Sequence, residues 1–184
     1  MAFMTTFIAL LCGINVGGNR KVPMAQLCAL GDEIGFVDTR SYIQSGNLVF
    51  SGPGTRGDVE TKLERAILAQ FGFSVDVLVR TARQWSTCAA GNPFREASEL
   101  EPNRVMMLLS KETPRPDAAV SLSSRATGGE RIVAVEDVLW VHYPAGVGSS
   151  KLTPSVLDRL IGSKVTARNW RTVVKLRELA GFER

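Results

Sequence analysis

The chain has 184 residues, 45% of them hydrophobic and 22% charged, with a formal net charge of +4. A chain of this length buries roughly 70% of the surface it exposes when unfolded, so its core needs no staple. The three cysteines, Cys12, Cys28 and Cys88, are odd in number and lack C-x-x-C spacing, which speaks against a disulfide framework or a structural zinc site, and the single histidine excludes a multi-histidine metal centre.

Residues 5–12 read as a buried strand. The apolar part of that run, Phe7 to Cys12, is short, follows no basic stretch and passes straight into Gly and Asn, so it is not a secretory signal. No apolar run approaches the roughly 20 residues that cross a bilayer. A reducing cytoplasm is the expected setting, with no membrane partner. Pro23 to Ile34 reads as a helix, with Pro23 in the first turn, Met24, Leu27, Leu30 and Ile34 as its stripe, and Gly35 as its stop. Thr39–Gln44 and Leu48–Ser51 are expected as strands joined by the tight turn Ser45-Gly46-Asn47. A helix over Asp58–Gln70 and a strand over Val75–Val79 close the segment.

Thr81–Ala90 is expected as a linking helix, and the Gly, Asn, Pro and Glu of residues 91–102 as a junction. The same order then returns. Val105–Leu109 is a strand, Arg115–Leu122 a short helix, and Ile132–Val135 with Leu139–Tyr143 a hairpin pair. Pro154–Ile161 is a helix, Lys164–Thr166 a short strand, and Asn169–Ala180 a final helix burying Trp170, Val173, Val174 and Leu176. The expected class is α+β, with two tandem ferredoxin-like β-α-β-β-α-β units. These are residues 1–80 and 103–184, joined by a helix and loop over 81–102, with a helix closing the second unit. No residue-level repeat between the halves is visible; the duplication rests on element order.

In a β-α-β-β-α-β unit the first strand-to-helix loop and the central hairpin turn lie at one edge of the sheet. Asn15 to Lys21 are therefore expected beside Ser45 to Asn47. In the second unit, the loop from Pro144 to Lys151 and the strand exit at Thr166 to Asn169 share the opposite edge, which brings Lys151 toward Arg168. A packing with these two edges facing each other collects Asn15, Gly17, Gly18, Asn19, Arg20, Asn47, Ser150, Lys151, Arg168 and Asn169 in one cleft. Residues 151–184 hold eight Lys or Arg against three Asp or Glu, a basic segment suited to phosphates or to a solvated helix face.

Each motif also has a structural reading. Gly17 and Gly18 serve either a close backbone approach to a phosphate or a turn, and the dinucleotide fingerprint G-x-G-x-x-G is absent. Gly146 to Lys151 lacks the spacing of a P-loop, leaving Ser149 and Ser150 as hydrogen-bond donors and Lys151 as a point charge. Asn169 suits a helix cap and Trp170 a core anchor. Arg168 is the cation least easily explained by packing. His142 reads as a satisfied or edge residue of a strand and Cys12 as a buried structural thiol.

The run Ile8 to Gly18 combines with Tyr42-Ile43-Gln44-Ser45-Gly46-Asn47, Asn92-Pro93-Phe94, Ser150-Lys151-Leu152 and Thr166-Ala167-Arg168-Asn169-Trp170. This combination resembles bacterial proteins of the domain-of-unknown-function family 1697 over nearly the whole chain. The resemblance implies a duplicated ferredoxin-like architecture and supplies no activity. Where that family carries an arginine before Gly-Ile-Asn, this chain has Cys12.

The leading expectation is a protein binding a phosphorylated or otherwise anionic small molecule, with a nucleotide as one candidate, in an inter-domain cleft. Lys151 and Arg168 would meet the charge, and Asn15 and Asn47 would orient the ligand. RNA binding is the other ligand class, although Phe50 alone stands where an RNA-recognition motif carries several stacking aromatics. An interaction or regulatory module with no small ligand is the third. The residues assign no catalytic group, metal, cofactor or oligomeric state.

Overall fold

The computed structural model describes residues 4–182. It resolves into two compact units, one holding the chain up to Ser86 and again from Leu176, the other spanning Thr87–Lys175. Among the described residues there are eight strands and seven helices in an α+β arrangement with two four-stranded antiparallel sheets, and no helix is long and apolar enough to cross a membrane.

In the first unit the order is β1 (Thr5–Leu11), α1 (Met24–Glu33), β2 (Val37–Tyr42), β3 (Asn47–Gly52), α2 (Arg56–Phe71) and β4 (Val77–Thr81), followed directly by α3 (Ala82–Ala90). The sheet runs β2-β3-β1-β4 with Phe7 opposite Phe50 and Ile8 opposite both Val49 and Arg80. Alternation along these strands sends Phe7, Ala9, Leu11, Leu48, Phe50, Val77 and Val79 to the face covered by α1 and α2, where Leu27, Leu30, Leu63 and Ile67 complete the core. The other face is withdrawn from water as well: Ile8, Leu10, Val49, Leu78 and Arg80 are at most 3% exposed.

Helix α2 starts at a reciprocal cap, in which Thr55 Oγ1 accepts from the Asp58 amide and Asp58 Oδ2 accepts from the Thr55 amide, and it stops at Gly72 with φ +77°. Two of its carboxylates reach the outer strand. Glu64 accepts from the Val77 amide at 3.0 Å and Glu60 from the Val79 amide at 2.9 Å, so edge donors of β4 are satisfied without another strand.

The second unit contains α4 (Arg95–Leu100), β5 (Val105–Ser110), α5 (Ala118–Ser123), β6 (Arg131–Val135), β7 (Val138–His142), α6 (Pro154–Ile161) and β8 (Val165–Asn169), with α7 (Trp170–Leu179) following β8 directly. Its sheet runs β6-β7-β5-β8. Leu108, Leu139, Val141 and Val165 pack with Leu122, Leu157 and Ile161 on one face, while Val105, Met107, Leu109, Val138 and Trp140 on the other are at most 1% exposed. Asp158 of α6 accepts from the Val165 amide at 2.8 Å, treating the edge strand β8 as Glu64 treats β4.

Two expectations shift. Residues 91–102 are not a bare junction, because Asn92 accepts from the Phe94 amide at 2.9 Å and donates to Ser98 at 2.7 Å, folding that stretch into α4 over a buried Phe94. The last strand is longer than Lys164–Thr166. It runs to Asn169, since ladder pairing with β5 continues through Met107 and Met106.

Candidate functional site

At the C-terminal end of β1, the loop and the hairpin turn meet as the topology requires. The Leu11 amide donates to the Gly46 carbonyl at 2.8 Å, and Asn15 Nδ2 donates to the Gln44 carbonyl at 2.9 Å. Asn15 also closes its own loop, accepting from the Val22 amide at 2.8 Å and donating to the Val22 carbonyl at 3.0 Å. A side chain at Gly46 would bring Cβ to 2.7 Å from Ile14 Cδ1 and 2.8 Å from Leu11 Cβ, so glycine is what lets the two segments touch. Asn47 is fully buried beneath the turn, donating to the Tyr42 carbonyl and to Ser45 Oγ, each at 2.9 Å.

Beyond Asn15 the chain projects into water. Val16 to Asn19 form a tight turn closed by the Asn19 amide on the Val16 carbonyl at 3.2 Å, with φ +59° at Gly17 and +79° at Gly18, the signs a type I′ turn demands. No neighbour lies within 4 Å of a Cβ placed at either glycine, so backbone conformation and not crowding selects them. Gly13, Asn15 and Arg20 have positive φ as well. Asn19, Arg20 and Lys21 are exposed, and among the described residues neither Arg20 nor Lys21 makes a salt bridge. Arg20 also lines a hollow of about 320 Å³ with Arg65, Leu68, Glu64 and Asp76.

The remaining expected residues lie in the second unit. Ser150 Oγ donates to Glu130 and accepts from the Leu152 amide at 3.2 Å; that hydroxyl, with backbone amides behind it, holds the Glu130 carboxyl below its ordinary pKa. Burial, reinforced by the Glu130 charge, pushes the neighbouring Tyr143 phenol up to about 12. Lys151 is exposed and makes no salt bridge among the described residues. Asn169 Oδ1 accepts from the Thr172 amide at 3.0 Å, capping α7, and its Nδ2 donates to Asn103 at 3.3 Å.

Arg168 is 7% exposed. Its Nη1 donates to Thr166 Oγ1 at 2.7 Å and to the Ala167 carbonyl at 2.9 Å. It has a counterpart in the first unit. Arg80 is also the fourth residue of the last strand, is 2% exposed, and donates from Nη1 to the preceding carbonyl of Val79 at 3.0 Å. Arg80 stands opposite Ile8, and Arg168 opposite Met107, which faces Trp140 on its other side. Each is followed by a cap: Thr81 Oγ1 accepts from the Gln84 amide at 3.1 Å, as Asn169 does from Thr172. The two units therefore match at this position in register and hydrogen bonding, a correspondence that the sequence conceals.

A further cluster escaped the sequence reading. His142 Nε2 lies 2.7 Å from Glu101 Oε1, whose other oxygen accepts from Arg104 at 2.8 Å. The hydrogen bond from His142, helped by the charge of Arg104, holds the Glu101 carboxyl below its ordinary pKa. The ring sits 5.9 Å from that of Phe94, and the Arg131 guanidinium lies 5.1 Å over Phe94. The Asn92-Pro93-Phe94 run was the available signal, because it places Phe94 at the start of α4. Among the described residues no group of three or more His, Cys, Asp or Glu is placed to hold a metal ion.

A search of curated proteins finds no match. Among solved structures, the conserved bacterial protein SP0830 from Streptococcus pneumoniae is similar, at a TM-score of 0.75 and 22% identity over 97% of this chain and 99% of that one, a likeness of fold. The two-sheet architecture is thus shared with an experimentally solved bacterial protein. Residues 4–140 match the family model described as protein of unknown function (DUF1697), and the chain belongs to that family.

Proposed function

We propose that this chain consists of two ferredoxin-like units, over 1–80 and 103–184 with 81–102 between them, and that it binds a phosphorylated or otherwise anionic small molecule. The antiparallel orders β2-β3-β1-β4 and β6-β7-β5-β8, with a helix between the first and second and between the third and fourth strands of each, support the first part. Three free cysteines, two of them buried, suit a reducing bacterial cytoplasm.

The observation that carries the binding reading is the loop from Gly13 to Lys21, in which five residues, Arg20 among them, have positive φ and the cations Arg20 and Lys21 make no salt bridge among the described residues. Successive amides in such conformations form concavities that favour anions, and Arg20 offers a planar fork that matches phosphate. Asn15 fixes the base of this loop and Gly17 and Gly18 its tip, while Asn19, Arg20 and Lys21 present donors. Lys151 with Ser150 forms a cationic loop of the second unit at a different place in its chain order, between β7 and α6. Arg168, Asn169 and Asn47 support the binding elements from within, through bonds to their own strands, caps and turns.

The RNA reading draws no comparable support. An RNA-recognition motif stacks bases on the inner strands of the open face of its sheet, and here the inner-strand residues of that face, Ile8, Leu10 and Val49 in one sheet and Met107, Leu109 and Trp140 in the other, are buried. The test is thermal unfolding with inorganic phosphate, nucleoside mono- and triphosphates and phosphorylated sugars. A ligand at about 100 times its Kd stabilises by about 2.7 kcal/mol. The expected result is stabilisation by at least one phosphorylated compound that disappears in Arg20→Ala/Lys21→Ala. Stabilisation unchanged in that variant sinks the assignment, and no response to any compound favours a module without a small ligand.

A further inference from the structure

We infer that the hollow between α4 and the β6–β7 edge of the second unit is a second binding site, for a small aromatic carboxylate. It is distinct in place and chemistry from the cationic loop at Gly13 to Lys21. The space measures about 330 Å³, within the lower range of small-molecule pockets and matched to a single ring with its substituents.

Its apolar side is Pro93, Ala97 and Leu100, the last 77% exposed although it is a large aliphatic side chain lining a concave surface. A ring laid there removes Leu100 from water. Its cationic side is Arg131 and Arg95. The Arg131 guanidinium lies over the Phe94 ring, 5.1 Å from its centroid, and neither arginine makes a salt bridge among the described residues. Arg95 donates only to the Ala90 carbonyl, at 3.2 Å.

Two carboxylates also line the hollow, Glu96 and Glu101. Glu101 is engaged by His142 and Arg104, so two guanidinium groups stand against the single remaining charge of Glu96. A planar carboxylate is the anion that a fixed guanidinium edge accepts in bidentate fashion.

His142 supplies the third wall. It is 9% exposed, its Nε2 is committed to the ionised Glu101 and its Nδ1 is closed to solvent, so the ring is a fixed floor against which an aromatic ligand packs. Carboxylate and ring together answer the two unmet features of this hollow: guanidinium groups without a salt bridge among the described residues and an exposed leucine.

His142 is the only histidine in the chain, so its imidazole resonances report on the site without ambiguity. The full chain is titrated with 3- and 4-hydroxybenzoate, benzoate, phenol and acetate while those resonances are followed. A saturable shift with benzoate and with the hydroxybenzoates is expected, weakened about tenfold or more by loss of the carboxylate in phenol, by loss of the ring in acetate, and by Arg131→Gln. Leu100→Ser, at an exposed position, is expected to fold as the parent and to weaken binding severalfold. No saturable shift, equal affinity for phenol, or affinity unchanged in both variants overturns the inference. Phosphate-dependent stabilisation through Arg20 and Lys21 is untouched by any of these results.

Discussion

The two units share their scaffolding and differ in their loops. Each places a buried arginine at the fourth position of its last strand, follows that strand with a capped helix, and uses a helix carboxylate to satisfy an edge amide, Glu64 on Val77 in one and Asp158 on Val165 in the other. The first strand-to-helix loops have nothing comparable in common. Gly13 to Lys21 carries five positive-φ residues and projects Arg20 and Lys21, whereas its counterpart after β5 contains none and is fastened down, with the Lys111 amide on Lys164 and the Arg115 amide on Ile161. A feature present in both units is explained by what both need, a closed four-stranded sheet. A feature present in one is a candidate for function, which is why the first loop and the His142 hollow carry the proposals and Arg168 does not.

The sharpest way to break this comparison is to remove the paired arginines. Arg80→Ala and Arg168→Ala each leave a buried carbonyl without its donor and a void among apolar neighbours, and each is expected to destabilise by about 3 kcal/mol. Urea unfolding midpoints check this. If Arg168→Ala instead keeps the parental midpoint and abolishes phosphate-dependent stabilisation, the two arginines are not equivalents and Arg168 is a ligand contact.

Much of the fold was legible because local chemistry and tertiary need agree. Ser45-Gly46-Asn47 announces a tight turn, and the turn then needs Gly46 for contact with Ile14 and Asn47 for its own carbonyls. Element order alone placed Asn15 beside that turn, and the bond to Gln44 follows. The arginine pair stayed hidden because Val77-Leu78-Val79-Arg80-Thr81 and Val165-Thr166-Ala167-Arg168-Asn169 share only Val and Arg; their equivalence lies in register and burial. Helix α4 is six residues long, too short to show a period, and it is fixed by Asn92 on Ser98. His142 finds Glu101 at a separation of 41 residues, a pairing no local pattern encodes.

Glycines in the first loop and in the hairpin turn beneath it sharpen the contrast between support and tip. Gly46→Ala is expected to cost about 2 kcal/mol or more, since it combines φ +76° with a Cβ driven into Ile14 and Leu11. Gly17→Ala meets open space and carries only the conformational penalty, about 1 kcal/mol. Equal losses at the two positions would mean that the tip is packed rather than presented. The caps give the matching comparison between units. Thr81→Ala and Asn169→Ala are each expected to lower stability by about 1 kcal/mol, and a loss confined to one would show that only one cap sustains its helix.

The smallest expected effect concerns acid. Glu130 in the second unit and Asp58 in the first are both held below their ordinary pKa by a hydroxyl, Ser150 in one case and Thr55 in the other. A carboxyl whose folded pKa is depressed binds its proton more readily in the unfolded chain. Its contribution is therefore complete above the ordinary carboxyl range, starts to fall as pH drops through the unfolded values of 4.5 for Glu and 3.8 for Asp, and is gone below the folded values. Ser150→Ala removes the largest cause of the Glu130 shift, and Thr55→Ala that of Asp58. Urea unfolding followed from about pH 7 to about pH 2.5 is expected to show each variant less stable than the parent at neutrality and losing less stability on acidification, so that the curves converge at the acid end. The two variants differ in where this happens, with Glu130 responding at the higher pH because its unfolded value is higher. Curves for Ser150→Ala and the parent that stay parallel throughout would place the loss in the turn that Ser150 closes with Leu152, and would leave the Glu130 carboxylate without a part in holding the second unit together.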